Sequence, residues 1–470
     1  MKKKVLSLLL AVVMTFSLAV TANAAEETAQ DLDGDIVILH TNDVHGGIAG
    51  YAQVSALKQY YQKCGAYVLL FDAGDFIQGD PTVSTSEGAT AVELMNLAGY
   101  DVASMGNHEF DYGYQNLKDL EAEADFTIVD ANVLYNGQVA FEDNVVFTAP
   151  DGTKIGVFGL DTPETATKAH PAKIQGVTFL AGDKMFDCAQ DQVDALEAEG
   201  CEYIICLGHL GIDAESTGNR SIDLLENVTG IDVFIDGHSH STQSDIAEET
   251  NGTGMVGDTV LTSTGTKLES VGVVDIAADG TIDASTLSME ELNATEGFTP
   301  DQDIATRVSE INAQIEEDMG QVIGTSEVDL DGVRENVRAS ETNLGDLITD
   351  AMLWQAGQDN EEVDAAITNG GGIRASIAAG DITKQSVNDV LPFGNTLYVV
   401  ELTGAELLEA LEASTYCTPE PVGAFPQVAG IEFTINTGAA YDAGENYPGT
   451  TYAEPASINR VTILTVGGQA

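Results

Sequence analysis

Residues 36–47 read Ile-Val-Ile-Leu-His-Thr-Asn-Asp-Val-His-Gly-Gly, an apolar run that ends in a polar loop with an Asp and a His two residues apart. A run that is continuous rather than alternating is expected of a strand covered on both faces. The pattern recurs along the chain. Tyr67–Phe71 leads to Gly74-Asp75, Tyr203–Leu207 to Gly208-His209, and Val233–Ile235 to Gly237-His238-Ser239-His240. Lys154–Leu160 is a further apolar run, and Gly106-Asn107-His108-Glu109 is a fifth polar cluster. Helix-like stretches such as Ala89–Ala98 and Met185–Glu199 separate the runs, so an α/β layered domain is expected. In open α/β sheets, ligands bind outside the carboxyl ends of the strands. Parallel order therefore predicts that the five clusters meet at one edge.

The residue types sharpen this expectation. Asp43-x-His45 and His238-x-His240 place alternate side chains on one side of an extended loop, where each pair can reach one centre. The clusters supply Asp43, Asp75, Asn107, His45, His209, His238 and His240, with His108 beside Asn107. A lone Gly-Asp or Gly-His is a turn beside a strand. All of them together, in this order, are a mixed imidazole and carboxylate set suited to divalent transition metals such as zinc or manganese. Seven ligands exceed one tetrahedral ion and fit two ions sharing a carboxylate, about 3.5–4 Å apart. Of the seven histidines in the chain, His40 and His170 remain, read as a structural strand-end residue and a surface-loop residue.

Composition narrows the partners. The 470 residues carry 76 Asp+Glu against 18 Lys+Arg, a net charge of −58, with 43% hydrophobic residues. That apolar content supports buried cores and argues against global disorder. The acidity excludes a binder of nucleic-acid polymers or of anionic membrane surfaces, both of which need Lys and Arg. Lys2, Lys3 and Lys4, the apolar run Val5–Val20 and Ala22-Asn23-Ala24 read as a secretory signal peptide cleaved after Ala24. With three lysines and no acid in that leader, the remainder carries −61. No membrane span is expected in it. The five cysteines form no CxxC; Cys201 and Cys206 read as buried thiols, and a Cys188–Cys201 disulfide stays open.

The order D-x-H, G-D, G-N-H-E, G-H, G-H-S-H resembles the calcineurin-like metallophosphoesterases. The segments LHTNDVHG (39–46), NGGGIR (369–374) and LPFGN (391–395) are similar to the exported bacterial 5′-nucleotidase and UDP-sugar hydrolase family. The resemblance implies a four-layer αββα sandwich over residues 33–298, a connecting helix and linker over 299–324, and a second α/β substrate-binding domain over 325–470. It implies that Asp43, His45 and His240 bind one metal, that Asn107, His209 and His238 bind the other, and that Asp75 bridges them. His108 then faces the phosphate, oriented by Asp111. A metal-bound water with a pKa near ~7 would supply the attacking hydroxide. Arg334, Arg338 and Arg374 would hold the substrate's anionic groups, and Phe393 and Asn395 would face the nucleobase.

Independently of the resemblance, three of the six arginines fall in two segments of the second domain, and the arginine fork suits phosphate. Within that domain the sequence predicts a helix from Leu344 to Gln355 with Trp354 packed in the core. It also predicts apolar or strand-like runs at Ala365–Ile367, Thr396–Leu402 and Ile431–Ile435. Residues 300–318 read as an amphipathic connector helix on Ile304, Val308, Ile311 and Ile315. Gly370–Ala375 matches G-x-G-x-x-A but lacks the acid-terminated second strand of a dinucleotide fold, and is read as a decoy. In the family, a second aromatic residue and an Asp complete the base clamp. They do not occur before Ala470, so the domain reads as incomplete.

The expected activity is removal of phosphate from nucleoside 5′-monophosphates and related nucleotides, with two divalent ions as cofactors and no nucleic-acid-polymer partner. The alternatives are a 2′,3′-cyclic-nucleotide phosphodiesterase or UDP-sugar hydrolase on the same centre, and more remotely a non-catalytic surface-binding module. The leader predicts export to an extracellular, cell-wall or periplasmic location.

Overall fold

A computed structural model describes residues 32–213, 216–358, 363–447 and 453–469. The leader expected over residues 1–24 lies outside them. In the first unit, the strands of the two principal sheets are β1 (Ile36–Thr41), β2 (Tyr67–Asp72), β3 (Val102–Ala103), β4 (Thr127–Ile128), β5 (Asn144–Thr148) and β6 (Lys154–Asp161). They continue with β7 (Tyr203–His209), β8 (Val233–Asp236), β9 (Met255–Val256), β10 (Thr259–Thr262), β11 (Ser270–Ile276) and β12 (Ile282–Ser288). One sheet has the order β12-β11-β1-β2-β3-β4, the other β9-β10-β8-β7-β6-β5. β1 to β4 are mutually parallel, as are β6, β7, β8 and β10. Each sheet is edged by antiparallel strands.

The apolar runs are continuous because both faces of each sheet are covered. Ile36, Ile38, Leu69, Phe71 and Val102 pack against Val157, Ile205, Leu207, Val233 and Ile235 from the opposite sheet. The alternate residues Val37, Leu39, Val68 and Leu70 face outward onto α1 (Tyr51–Lys63) and α2 (Ala89–Ala98) through Val54, Leu57, Leu94 and Met95. On the other side Phe158, Ile204, Cys206 and Phe234 meet α3 (Asp183–Ala198) through Met185, Val193 and Leu196. Helix, sheet, sheet and helix thus form four layers. Each fully buried Leu, Ile or Phe contributes about 1.5–3 kcal/mol. His40 ends the β1 run inside this core because Gly272 lies opposite it on β11; a Cβ there would sit 1.9 Å from His40 Nε2.

The amphipathic stretch forms α4 (Gln302–Met319), capped by Asp301 accepting from the Asp303 and Ile304 N–H groups. Its buried stripe, Ile304, Val308 and Ile311, joins the outer core beside α1. Beyond it, α5 (Asn343–Gln358) packs through Leu344 and Ile348 against Leu330, Val337, Ile373 and Val390. Ala366–Asn369 pairs antiparallel with Pro426–Ala429, and Ile431–Ile435 with Val461–Val466.

Two expectations for this second unit fail. Trp354 is not in the core and is 65% exposed. The buried stripe of α5 runs through 344, 348 and 352, and position 354 lies two residues beyond it, on the opposite face. Thr396–Leu402 is not a strand; the segment is irregular, with Tyr398 64% and Val400 68% exposed. Its β-branched residues favour an extended chain, but a strand also needs a ladder partner and a surface to cover. All five cysteines are free thiols, with Cys206 buried and Cys201 half-buried. The Gly370–Gly372 turn opens no helix. No described helix is long and apolar enough to cross a membrane.

Candidate metal centre

The carboxyl ends of β1, β2, β3, β7 and β8 lie along one edge of the sandwich, and each delivers a polar cluster there. Asp43 and His45 follow β1, Asp75 follows β2, Asn107 and His108 follow β3, His209 ends β7, and His238 and His240 follow β8. Asp75 Oδ2 lies 3.1 Å from His209 Nε2 and 3.6 Å from His45 Nε2. Asp43 Oδ1 lies 3.5 Å from His240 Nε2, 3.8 Å from His45 Nε2 and 3.9 Å from His209 Nε2. Among the described residues, two sets of donor atoms are compact enough for one ion each: Asp43, His45 and His240, and Asp43, Asp75 and His209. His238 stands outside both sets, although its backbone N–H donates to Asp43. Asn107 is buried in the turn Asn107–Phe110.

The local backbone is strained at these positions. Asp43, His45, Asp75, His238 and His240 adopt φ values of 50°, 43°, 64°, 75° and 54°. Left-handed φ is uncommon for residues other than glycine and costs about 1–3 kcal/mol each, a cost that concentrates at functional sites. Two glycines allow the close packing. A Cβ on Gly106 would sit 2.4 Å from Asp75 Oδ1, and one on Gly237 would sit 2.6 Å from His209 Nδ1.

The donor set fits divalent cations. His209 Nδ1 is 2.7 Å from the Ala73 carbonyl, to which it donates, so that Nε2 is the nitrogen turned toward the acids. That Nε2 is buried and makes no aligned hydrogen bond, although Asp75 lies 3.1 Å away. His45 Nε2 and His240 Nε2 face each other at 3.2 Å, and His45 Nδ1 is 3.2 Å from the Gln78 carbonyl. The charges around them are poised against one another. Burial, with the nearby Asp75, pushes the Asp43 carboxyl up to about 7. Burial pulls His45 and His238 down to about 4 and lowers His240. Burial also disfavours charge on Asp75 and His209, but their mutual attraction prevails, holding Asp75 below the ordinary carboxylate range and His209 above the ordinary imidazole range. Buried acids and neutral imidazoles aimed at common points are compensated by a bound cation.

Neighbouring residues hold the ligand candidates. The Glu109 carboxylate accepts from the backbone N–H groups of Gly106, Asp75, Phe76 and Ile77 at 2.7, 2.8, 2.8 and 3.2 Å. Asn42 donates to Asp43 Oδ2 at 2.7 Å and accepts from the Thr264 backbone and hydroxyl at 2.9 and 2.7 Å. His108 Nδ1 meets Asp111 Oδ2 at 2.7 Å, with its ring edge-on to His45. Burial opposes charge on His108, yet Asp75, Asp111 and Glu109 outweigh it and raise this imidazole to about 9.

Glu109, Asn42, Glu164 and Lys168 were not singled out by the sequence reading. Glu109 sits inside Gly-Asn-His-Glu, but the motif does not reveal that it folds back onto the β2 loop. Glu164 caps, and Lys168 ends, the short helical turn Thr165–Lys168 that follows β6, an apolar run with no polar cluster of that type after it. Glu164 Oε2 and Lys168 Nζ each lie 3.1 Å from His238 Nε2. His238 and Lys168 hold the Glu164 carboxyl well below its ordinary range, against the effect of burial.

The substrate candidates lie on the second unit, and the structure brings two of them, Arg374 and Phe393, into contact. The Arg374 guanidinium lies over the Phe393 ring at 5.5 Å, and Arg334 and Asn395 are exposed. Three residues beyond Asn395, Tyr398 reaches the first unit: its hydroxyl is 2.5 Å from His170 Nε2, with the rings stacked. His170 is therefore half-buried rather than a plain surface residue.

Comparisons with known proteins agree with this architecture. The calcineurin-like phosphoesterase family matches residues 36–242, and the 5′-nucleotidase C-terminal domain family matches 322–470. Human 5′-nucleotidase is 30% identical over 442 residues, covering 84% of this chain and 75% of its own length. The chain belongs to the 5′-nucleotidase family. Its catalytic unit is of the metal-dependent phosphoric ester hydrolase type. The trifunctional nucleotide phosphoesterase YfkN of Bacillus subtilis is 35% identical over 438 residues, covering 85% of this chain, which spans only 29% of that relative's length. The solved 5′-nucleotidase precursor from Thermus thermophilus superposes with a TM-score of 0.65 at 28% identity, covering 91% of this chain and 88% of its own.

Proposed function

We propose that the chain removes phosphate from nucleoside 5′-monophosphates at a centre of two divalent ions. The observation that carries this reading is Asp75, whose Oδ2 faces His209 Nε2 at 3.1 Å and His45 Nε2 at 3.6 Å, so that one carboxylate serves two imidazole sites. Asp43, His45 and His240 would hold one ion, and Asn107, His209 and His238 the other, with Asp75 between them. When bound, such ions supply Lewis acidity at the phosphoryl oxygens and a nucleophilic water at neutral pH.

The chain's own residues do the remaining work. Asp111 fixes His108 through Nδ1, which leaves Nε2 to face an anionic substrate. A protonated imidazole there offsets negative charge building on the phosphoryl oxygens, where catalysis of phosphoryl transfer is concentrated. Arg334, Arg338 and Arg374 would bind the substrate's anionic groups, while Phe393, backed by Arg374, would stack on the base and Asn395 would bond its edge. Residues 1–24 would direct export, which N-terminal sequencing of the mature protein tests.

The decisive experiment measures phosphate release from AMP with manganese or zinc, with and without chelator. Turnover that chelator abolishes is expected. No hydrolysis under any metal condition would refute the reading. The name of the 35%-identical relative, a trifunctional nucleotide phosphoesterase, favours a broader second reading on the same centre. A 2′,3′-cyclic nucleotide and UDP-glucose in the same assay separate the two.

A further inference from the structure

The loop after β6 occupies the same edge as the candidate ligands but contributes none of them. Thr165 Oγ1 lies 2.8 Å from both buried Asp161 Oδ2 and the Thr162 carbonyl; its one proton goes to the carbonyl when Asp161 is protonated and donates to the hydroxyl, and the pair of contacts pins the turn that carries Glu164. Glu164 Oε2 then lies 3.1 Å from His238 Nε2, and Lys168 Nζ lies 2.8 Å from the same oxygen. An i,i+4 Glu–Lys pair is ordinarily a surface contact worth little. Here its carboxylate reaches a third residue from another strand, whose side chain is only 6% exposed.

Among the described residues, Glu164 Oε2 and Lys168 Nζ each lie 3.1 Å from His238 Nε2. If this nitrogen carried a lone pair, it would accept from the Lys168 ammonium but oppose the carboxylate oxygen. Protonated, it donates to Glu164, while the rotatable ammonium of Lys168 directs a hydrogen to the same oxygen. Either way Nε2 is engaged from outside the cluster, which leaves Nδ1 as the nitrogen available to a ligand. Metal-binding histidines are commonly fixed by a carboxylate on the other ring nitrogen, and removing that partner costs about 10–100-fold in metal affinity.

We propose that Glu164 is a positioning residue for the metal centre: it binds His238 Nε2–H, Lys168 holds it in place, and His238 thereby offers Nδ1 as a ligand. The proposal rests on reading the cluster as a two-ion centre. It separates His238 from His45, His209 and His240, each of which directs Nε2 at the carboxylates.

Titration of the ion-free full chain with zinc or manganese, followed by calorimetry, tests it. The wild type should bind two ions. Glu164→Ala should weaken one by about 10–100-fold and leave the other unchanged. Glu164→Gln, which keeps an acceptor oxygen, should recover most of the loss. In nitrogen-15 spectra of the loaded wild type, the His238 coordination shift should fall on Nδ1 while Nε2 keeps its proton. Wild-type affinity for both ions in Glu164→Ala, coordination through His238 Nε2, or equal weakening of both ions with a lowered melting temperature of the ion-free chain would each overturn it. A wild-type chain that binds no ion would overturn the two-ion reading as well, so the two failures are distinguishable.

Discussion

Glu109→Gln tests how the protein places Asp75. The carboxylate is fully buried and accepts four backbone N–H groups. Oε2 takes those of Gly106 at 2.7 Å and Asp75 at 2.8 Å, and Oε1 takes those of Phe76 at 2.8 Å and Ile77 at 3.2 Å. A glutamine amide keeps one acceptor oxygen and turns a donor toward the other two N–H groups. Two hydrogen bonds to a charged acceptor are lost, at about 1.5–3 kcal/mol each. Against this, burial and the nearby Asp75 push Glu109 up to about 7, so a neutral side chain relieves part of the strain. The balance is a net loss of about 3 kcal/mol, taken from the lower end of that range. The loss falls on the two loops that carry Asp75 and Asn107. Urea unfolding followed by circular dichroism, in excess chelator, should show the destabilisation. Metal titration of the same variant should show weakened binding. A variant within about 0.5 kcal/mol of wild type, the spread of ordinary surface substitutions, and with unchanged ion affinity, would refute the reasoning.

Three further outcomes are expected. His108→Ala should keep its ions, by elemental analysis, and lose about 10²–10⁴-fold in turnover; normal turnover would remove His108 from the mechanism. Asp111→Asn withdraws one of the carboxylates that hold His108 at about 9, so the alkaline limb of kcat/KM should move to lower pH, and an unmoved limb would dissociate the pair from catalysis. Burial lowers folded His40 to about 3 from 6.5, so only the unfolded chain takes up this proton below pH 6.5. Its contribution is fully present above pH 6.5 and is lost as pH falls toward 3. Between pH 6.5 and 5 the loss is about 2 kcal/mol. Urea unfolding across that range should therefore show wild type losing more stability than His40→Phe, and parallel curves would refute the assignment.

The catalytic unit was largely legible because its signals are local. Tyr67–Phe71, Tyr203–Leu207 and Val233–Ile235 each read as a doubly covered strand, and each is extended by the structure only to the first residues of its polar loop. The second unit was less legible. The Thr396–Leu402 run has strand-forming residues but no ladder, and Trp354 lies off a stripe that only the packing of α5 defines. His170 is the loop residue its sequence indicates, but its half-burial was not legible because its partner, Tyr398, is 228 positions away.

By itself, the sequence determined the strand–loop units, the identity of the histidine and carboxylate clusters, and their convergence, because parallel strands send every carboxyl end to one edge. Only the tertiary structure decided which oxygen faces which nitrogen. It set Asp75 between His45 and His209, folded Glu109 onto the loop before it, and brought Glu164 to His238 across 74 residues. The physical reason is range: strand patterning is fixed by neighbouring residues, whereas ligand geometry depends on contacts between segments that meet only when the two sheets close face to face.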